Sequence, residues 1–322
     1  MSLARRLLPR RRPPPLAVAL LILTHCLTAS GLARAAEPAA PPAPAVAVDA
    51  CGMTSKQARD LAAWYAAVAG RRPSETFGEL VQRSAAAQLD RPYLTLPYID
   101  QPEGLTCDFS GFDCVTLVEE SLALARCIWS TQANASCYAH ELTQNRYRDG
   151  RIAGHASKMH YYEEWLQNNA RRGQLQLLTA QLGGRAVPMA FNFMTRQPHL
   201  YPFLADPAEL DAMRTVEAQL SRSSFTLLPR TAIPSVQMQL RTGDIIAVVG
   251  TLRGMLITHT GLVARDGDRP PHFLHASSKS KQVKLSDRDL ASYVLERGDR
   301  RGIMVARPLP PTPSISVRSG AD

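Results

Sequence analysis

The sequence predicts an α+β domain, helices first and an antiparallel sheet after them. Two observations carry this. Apolar residues recur at helical spacing between residues 55 and 169, with Leu61, Trp64, Tyr65 and Val68 the clearest set. From residue 244 the apolar runs become short or alternating, and turn residues separate them: Gly250, Asp266-Gly267-Asp268 and Pro270-Pro271. Helical stretches followed by a meander of strands make α+β.

Taken in order, residues 1–36 read as an export signal. Arg5, Arg6, Arg10, Arg11 and Arg12 precede an apolar run, Leu16 to Leu27, too short for a comfortable membrane span, and Ala33-Arg34-Ala35 is an A-x-A cleavage site. Other readings are an uncleaved anchor, a lipoprotein box at Leu23-Thr24-His25-Cys26, which His before Cys fits poorly, and a twin-arginine signal. The expected destination is the periplasm or the outside, with no stable membrane span after cleavage. An Ala/Pro linker over 37–50 and a Pro/Ser tail over 309–322 have the composition of disordered segments. Between them, residues 51–308 are long enough for a single catalytic domain with a sizeable core.

Six arginines precede Glu37 with no acid among them, so the formal charge of +9 falls to +3 once the signal is gone. That is no nucleic-acid footprint. It is at most a mild preference for an anionic polymer such as cell wall.

Within the domain, 55–69 and 77–88 read as helices. Residues 94–108 hold Pro97, Pro102 and Gly104 and form a loop. Val115 to Ile128 has the pattern of an amphipathic helix. Residues 137–146 and 155–169 are helical, the latter through Tyr161, Tyr162 and Trp165. Strands follow at 244–249, 259–264, 272–276 and 282–285, then a short helix at 290–296 and a last strand at 302–306.

Cys114 stands where the turn Ser110-Gly111-Phe112-Asp113 meets a helix. Unpaired N–H groups and the helix dipole there favour thiolate, the reactive form. Beyond Cys26 in the signal there are five cysteines, an odd number, so one thiol stays free or pairs with another chain. Cys114 is the natural leftover. Of the three ways to pair the other four, the expected one is Cys127 with Cys137, closing a short loop, and Cys51 with Cys107, tying the first helix near the Cys114 turn.

Two histidines end short apolar runs far downstream, His259 in Thr258-His259-Thr260-Gly261 and His275 in Phe273-Leu274-His275-Ala276. Either alone reads as structural. With a candidate nucleophile they read as a general base and the residue that orients it. A Cys-His-His zinc site is the alternative, but no local spacing marks one, so no metal or cofactor is expected. The G-x-S-x-G serine elbow is absent. Tyr98, Glu103, Arg148, Tyr161 and Asn192 are candidate substrate-binding residues, of the types that hold a sugar or peptide by hydrogen bonds.

Phe112-Asp113-Cys114-Val115-Thr116-Leu117-Val118-Glu119, Gly243-Asp244-Ile245-Ile246, Thr258-His259-Thr260-Gly261 and His275-Ala276-Ser277-Ser278 together resemble the NlpC-type cysteine amidases and peptidases of bacterial cell walls. Arg146-Tyr147-Arg148-Asp149-Gly150, Ser157-Lys158-Met159-His160-Tyr161 and Asn192-Phe193-Met194 are similar to the N-acetylmuramoyl-L-alanine amidase-like branch, and the likeness runs roughly from Leu94 to Arg307. Leu117, Lys158 and Thr195-Arg196 depart from the branch's pattern. The resemblance implies a reduced papain-like fold, its nucleophile helix packed on an antiparallel β-meander, with extra N-terminal and inserted helices. It implies Cys114 as nucleophile, His259 as base and His275 as orienting residue. The substrate would be peptidoglycan or a muropeptide, cleaved at the amide between the N-acetylmuramic acid lactyl group and L-alanine. A stem-peptide endopeptidase and a non-catalytic cell-wall binding module are the competing readings.

Overall fold

Two threonines set the first two helices. The Thr54 hydroxyl accepts the Gln57 N–H and the Gln57 side chain accepts the Thr54 N–H, opening α1 (Ser55–Val68); Thr76 and Glu79 do the same for α2 (Phe77–Ala86). This is a computed structural model, and it describes residues 52–95 and 104–312. The signal and the linker lie outside the described residues, as do Tyr98, Glu103, Cys51 and the tail beyond residue 312. The described residues belong to one compact unit, Ala47–Asp322.

Asp113 caps α3 (Cys114–Trp129), and α4 (Ala135–Arg146) follows after a short turn. The sequence pattern of α3 suggests one wet face, but every residue from Thr116 to Ile128 is buried. The helix packs on α2, on α4 and on two strands of the sheet. Its charged residues are buried because they have partners inside. The Arg146 guanidinium donates to Glu119 at 2.7 Å and to Glu120 at 3.1 Å, and the Tyr138 hydroxyl donates to Glu120 at 3.0 Å. Cys127 and Cys137 are disulfide-bonded, as expected, joining the end of α3 to the start of α4. Cys107 is also in a disulfide.

The helix expected over 155–169 begins later, as α5 (Tyr162–Arg171). Residues 155–157 form a 3-10 turn instead. Gly154 takes a positive φ of 76°, and Glu209 accepts the His155 and Ala156 N–H groups, so these amides are held by a distant side chain and not by a helix.

The remaining elements are β1 (Leu175–Leu177), β2 (Arg185–Val187), α6 (Phe193–Arg196), α7 (Pro207–Ser221), β3 (Phe225–Pro229), α8 (Ile233–Val236), β4 (Ile245–Val249), β5 (Ile257–Ala264), β6 (His272–Ser277), β7 (Gln282–Asp289), α9 (Leu290–Leu295) and β8 (Gly302–Pro308). One antiparallel sheet runs in the order β2-β3-β8-β4-β5-β6-β7, with β1 also on β8. The meander β4 to β7 is as expected. The last strand does not extend it; β8 crosses back to the far side of β4. Strand β4 is apolar throughout because both its faces are covered. Ile245, Ala247 and Val249 point into the main core, while Ile246 and Val248 point into a smaller one with Ile233, Leu290 and Val294.

Candidate active site

Cys114 is fixed by the turn before it. The Asp113 carboxylate accepts the Val115 and Thr116 N–H groups at 2.9 and 2.7 Å, and the Asp113 N–H donates to the Thr116 hydroxyl at 2.9 Å. The thiol is free and partly exposed. Burial pushes it up to about 12, the Asp113 carboxylate adds to this, and the N–H groups of Thr260, Cys114 and Val115 oppose it. The expectation of a thiolate at a helix start is therefore corrected. Desolvation and an adjacent carboxylate outweigh the helix terminus, and the resting group is a thiol.

His259 lies on β5 and His275 on β6. Leu262 pairs with Leu274, so Gly261 falls beside His275. A Cβ on Gly261 would sit 2.4 Å from the Leu274 carbonyl oxygen and 2.9 Å from the His275 Cβ. Only glycine lets the strands close to this spacing. One step along the same face, His259 Nε2 meets His275 Nδ1 at 2.7 Å, the rings at 85°. His275 also stacks on Phe273 at 4.9 Å and faces the edge of Tyr293 at 5.2 Å. Burial holds His259 well below its ordinary value, helped by His275 and Arg300. Burial, then Arg300 and Lys284, push His275 down to about 4, opposed by Asp287. Both rings are neutral at pH 7.

The two histidines line a cleft of about 1170 Å³ with Asn192, Phe193, Tyr293 and Arg300. Cys114 is not one of its lining residues; it meets β5 one residue further on, at the Thr260 N–H. Among the described residues the sulfur makes no hydrogen bond to His259, whose ring bond goes to His275. A charge on Cys114 would be felt by the phenols of Tyr93, Tyr162 and Tyr293. No trio of His, Cys, Asp or Glu among the described residues is placed to hold a metal ion, and none of their helices is long and apolar enough to cross a membrane.

Of the candidate binding residues that are described, only Asn192 lines the cleft. Tyr161 is wholly buried: its hydroxyl donates to Glu217 at 2.6 Å and accepts the Met194 N–H at 3.1 Å, so it cannot touch a substrate. Arg148 is tied to Glu164 and to the Ala156 carbonyl and lies away from the cleft. The sequence offered no signal for two buried carboxylates that hold the cleft wall. Glu163 accepts the Leu256 and Ile257 N–H groups at 2.8 and 2.6 Å, two residues before His259. Glu217 accepts the Thr195 N–H at 3.1 Å, which anchors α6.

Residues 84–303 match the family AmiA-like, described as N-acetylmuramoyl-L-alanine amidase-like. An N-acetylmuramoyl-L-alanine amidase from Bacteroides uniformis superposes with a TM-score of 0.68 at 30% identity, over 72% of this chain and 98% of that one. A Bacteroides fragilis protein that carries a xylanase name superposes at 0.65 with 29% identity, over 71% of this chain and 99% of that one. Protein LPG0564 from Legionella pneumophila, 16% identical over 79% of this chain and 95% of that one, shares the fold at a TM-score of 0.61. No curated protein matches the chain. With more than half its length inside the family match, the chain belongs to the N-acetylmuramoyl-L-alanine amidase-like family.

Proposed function

We propose that the chain is an exported cysteine amidase. It hydrolyses the amide between the N-acetylmuramic acid lactyl group and L-alanine, in peptidoglycan or muropeptides, through an acyl-enzyme. The observation that carries this is the 2.7 Å contact between His259 Nε2 and His275 Nδ1, on strands packed against the helix whose first residue is the free thiol. A helix-borne thiol against a strand-borne base also supports the reduced papain-like reading of the fold. The basic and apolar run before Ala33-Arg34-Ala35 supports export.

The chemistry follows from the nitrogens. With Nε2 committed to His275, the nitrogen of His259 left for the sulfur is Nδ1. In the neutral pair, His259 carries its hydrogen on Nε2 and donates it to His275 Nδ1; His275 then carries its own on Nε2. His259 Nδ1 takes the Cys114 proton as sulfur attacks the carbonyl carbon. The C–S bond forms and the carbonyl electron pair moves onto oxygen, which the Cys114 N–H, outside the hydrogen-bond ladder of its own helix, receives. The C–N bond then breaks, and His259 returns the proton to the departing alanine nitrogen. Water attacks the thioester by the same route and frees the lactyl carboxylic acid. A glycosidase, the activity one relative's name suggests, needs two carboxyl groups flanking the bond. At this cleft Asp287 is held by Lys284 and Asp299 by Arg297, which leaves Glu296 as a single carboxylate outside an ion pair among the described residues.

Purified muropeptides, mature protein and mass spectrometry of the products test this. Release of an intact peptide beginning with L-alanine, lost in Cys114→Ala and indifferent to EDTA, is the expected result. Cuts inside the peptide would replace the amidase by an endopeptidase, and turnover surviving Cys114→Ala would end the cysteine mechanism.

A further inference from the structure

A second recess, of about 320 Å³, adjoins the histidine cleft and shares Asn192, Arg196 and the 250–253 loop with it. Three arginines line it: Arg196 at the end of α6, Arg253 in the loop between β4 and β5, and Arg301 at the entry to β8. Among the described residues no Asp or Glu lines it, and none of the three guanidinium groups has a hydrogen bond or ion pair. Elsewhere along the cleft several cations are engaged: Arg297 holds Asp299 at 2.6 Å, Lys284 holds Asp287 at 2.7 Å, and Arg300 lies over the Tyr293 ring at 3.9 Å, while Lys279 and Arg288 line it without an ion pair among the described residues.

The backbone under each arginine of the recess is pinned. The Phe193 N–H donates to the Gly254 carbonyl at 3.3 Å, joining α6 to the loop. Glu217 holds Thr195, next to Arg196, and Glu163 holds Leu256 and Ile257 beyond the loop. The Arg301 N–H donates to the Val249 carbonyl at 2.8 Å. Three like charges brought to one recess on a fixed frame repel unless an anion sits between them. Planar guanidinium forks match a carboxylate in shape as well as charge.

We propose that this recess is a carboxylate-binding subsite that grips the peptide half of the substrate. The inference rests on the amidase reading, which puts an uncharged acyl group on one side of the scissile bond and a peptide bearing free carboxylates on the other. It gives the enzyme a preference: peptides whose residue after L-alanine keeps its free α-carboxylate bind, and those carrying the primary amide there do not.

Calorimetric titration of Cys114→Ala protein with an L-alanyl-γ-D-glutamyl tetrapeptide, as free acid and as α-amide, tests this without turnover. The free acid is expected to bind roughly tenfold or more tightly than the amide, and added salt to narrow the gap. Arg196→Gln with Arg253→Gln, and Arg301→Gln separately, remove the preference. All three positions are exposed, so the variants fold, which circular dichroism checks. Equal binding of acid and amide, no binding of the acid at millimolar concentration, or arginine variants that keep the preference would each overturn the subsite. Turnover separates this failure from the other. If wild-type protein cleaves acid and amidated muropeptides with equal kcat/KM, the amidase stands and the subsite falls. If the arginines govern binding but no muropeptide is cut, the subsite stands and the amidase falls.

Discussion

At the scale of single residues, burial sets the protonation of the site. Desolvation raises the Cys114 thiol and lowers both imidazoles, which favours the neutral thiol and imidazole over an ion pair at rest. The proton leaves the sulfur during attack, and His259 must enter that step neutral. An ordinary histidine would begin to protonate near 6.5. Here His275 is pushed down to about 4, and once it is protonated its Nδ1 can no longer accept from His259 Nε2. The rate is therefore expected to stay level from neutral pH to about 5 and to fall as pH drops through about 4. A profile of kcat/KM against pH checks this, and an acid limb centred near the ordinary histidine value would contradict it. His275→Ala leaves His259 Nε2–H without its acceptor and frees the ring to turn. A kcat loss of roughly a hundredfold with little change in KM is expected from steady-state kinetics; a KM effect alone would make His275 a substrate contact.

Individual elements are held by side chains far away in sequence, and Glu163 on α5 is the clearest case. Its Oε1 accepts two N–H groups at the start of the strand that carries His259, while Oε2 is buried with no partner. Burial raises this carboxyl from its ordinary value of 4.5 to about 7. In the unfolded chain the group loses its proton first. Its contribution to stability is thus complete below about pH 4.5 and is lost as pH rises to about 7, a difference of about 3 kcal/mol. Glu163→Gln keeps an oxygen for the two amides and removes the titration. Thermal melts from pH 5 to pH 8 are expected to show a falling Tm for wild type and a flatter line for the variant. Parallel lines would mean that Glu163 does not titrate in this range.

For the molecule as a whole, the polar seam inside the helical layer matters as much as the apolar cores. Arg146 joins α4 to Glu119 and Glu120 of α3 and to the Thr106 carbonyl of the segment leading to Cys114. All three side chains are essentially inaccessible to water. Replacing Arg146 by Met leaves two carboxylates buried without their cation. Urea unfolding should show a loss of roughly 3–5 kcal/mol. A loss of less than about 1 kcal/mol would mean that the seam admits water and that α3 is not tightly enclosed.

What the sequence determined by itself were local matters: caps, periodicities, turn residues and cysteine parity. Thr54, Thr76 and Asp113 start their helices with partners two to three residues away. The meander from β4 to β7 is written as short apolar or alternating runs between turn residues, and the Cys127–Cys137 bridge closes a short loop. The histidine pair was legible because His259 and His275 end short apolar runs that read as neighbouring antiparallel strands. Tertiary structure alone decided the rest. Strands β1 to β3 are too short or too weakly alternating to announce themselves, and β8 is placed by pairing with β4, which no local pattern encodes. Tyr161 and Arg148 have the chemistry of ligand-binding residues, yet Glu217 and Glu164 claim them. Arg196, Arg253 and Arg301 come from three separate segments and meet only where the sheet folds. A residue's chemistry is written in the sequence, but whether that chemistry faces solvent, substrate or a buried partner depends on which distant segments pack beside it.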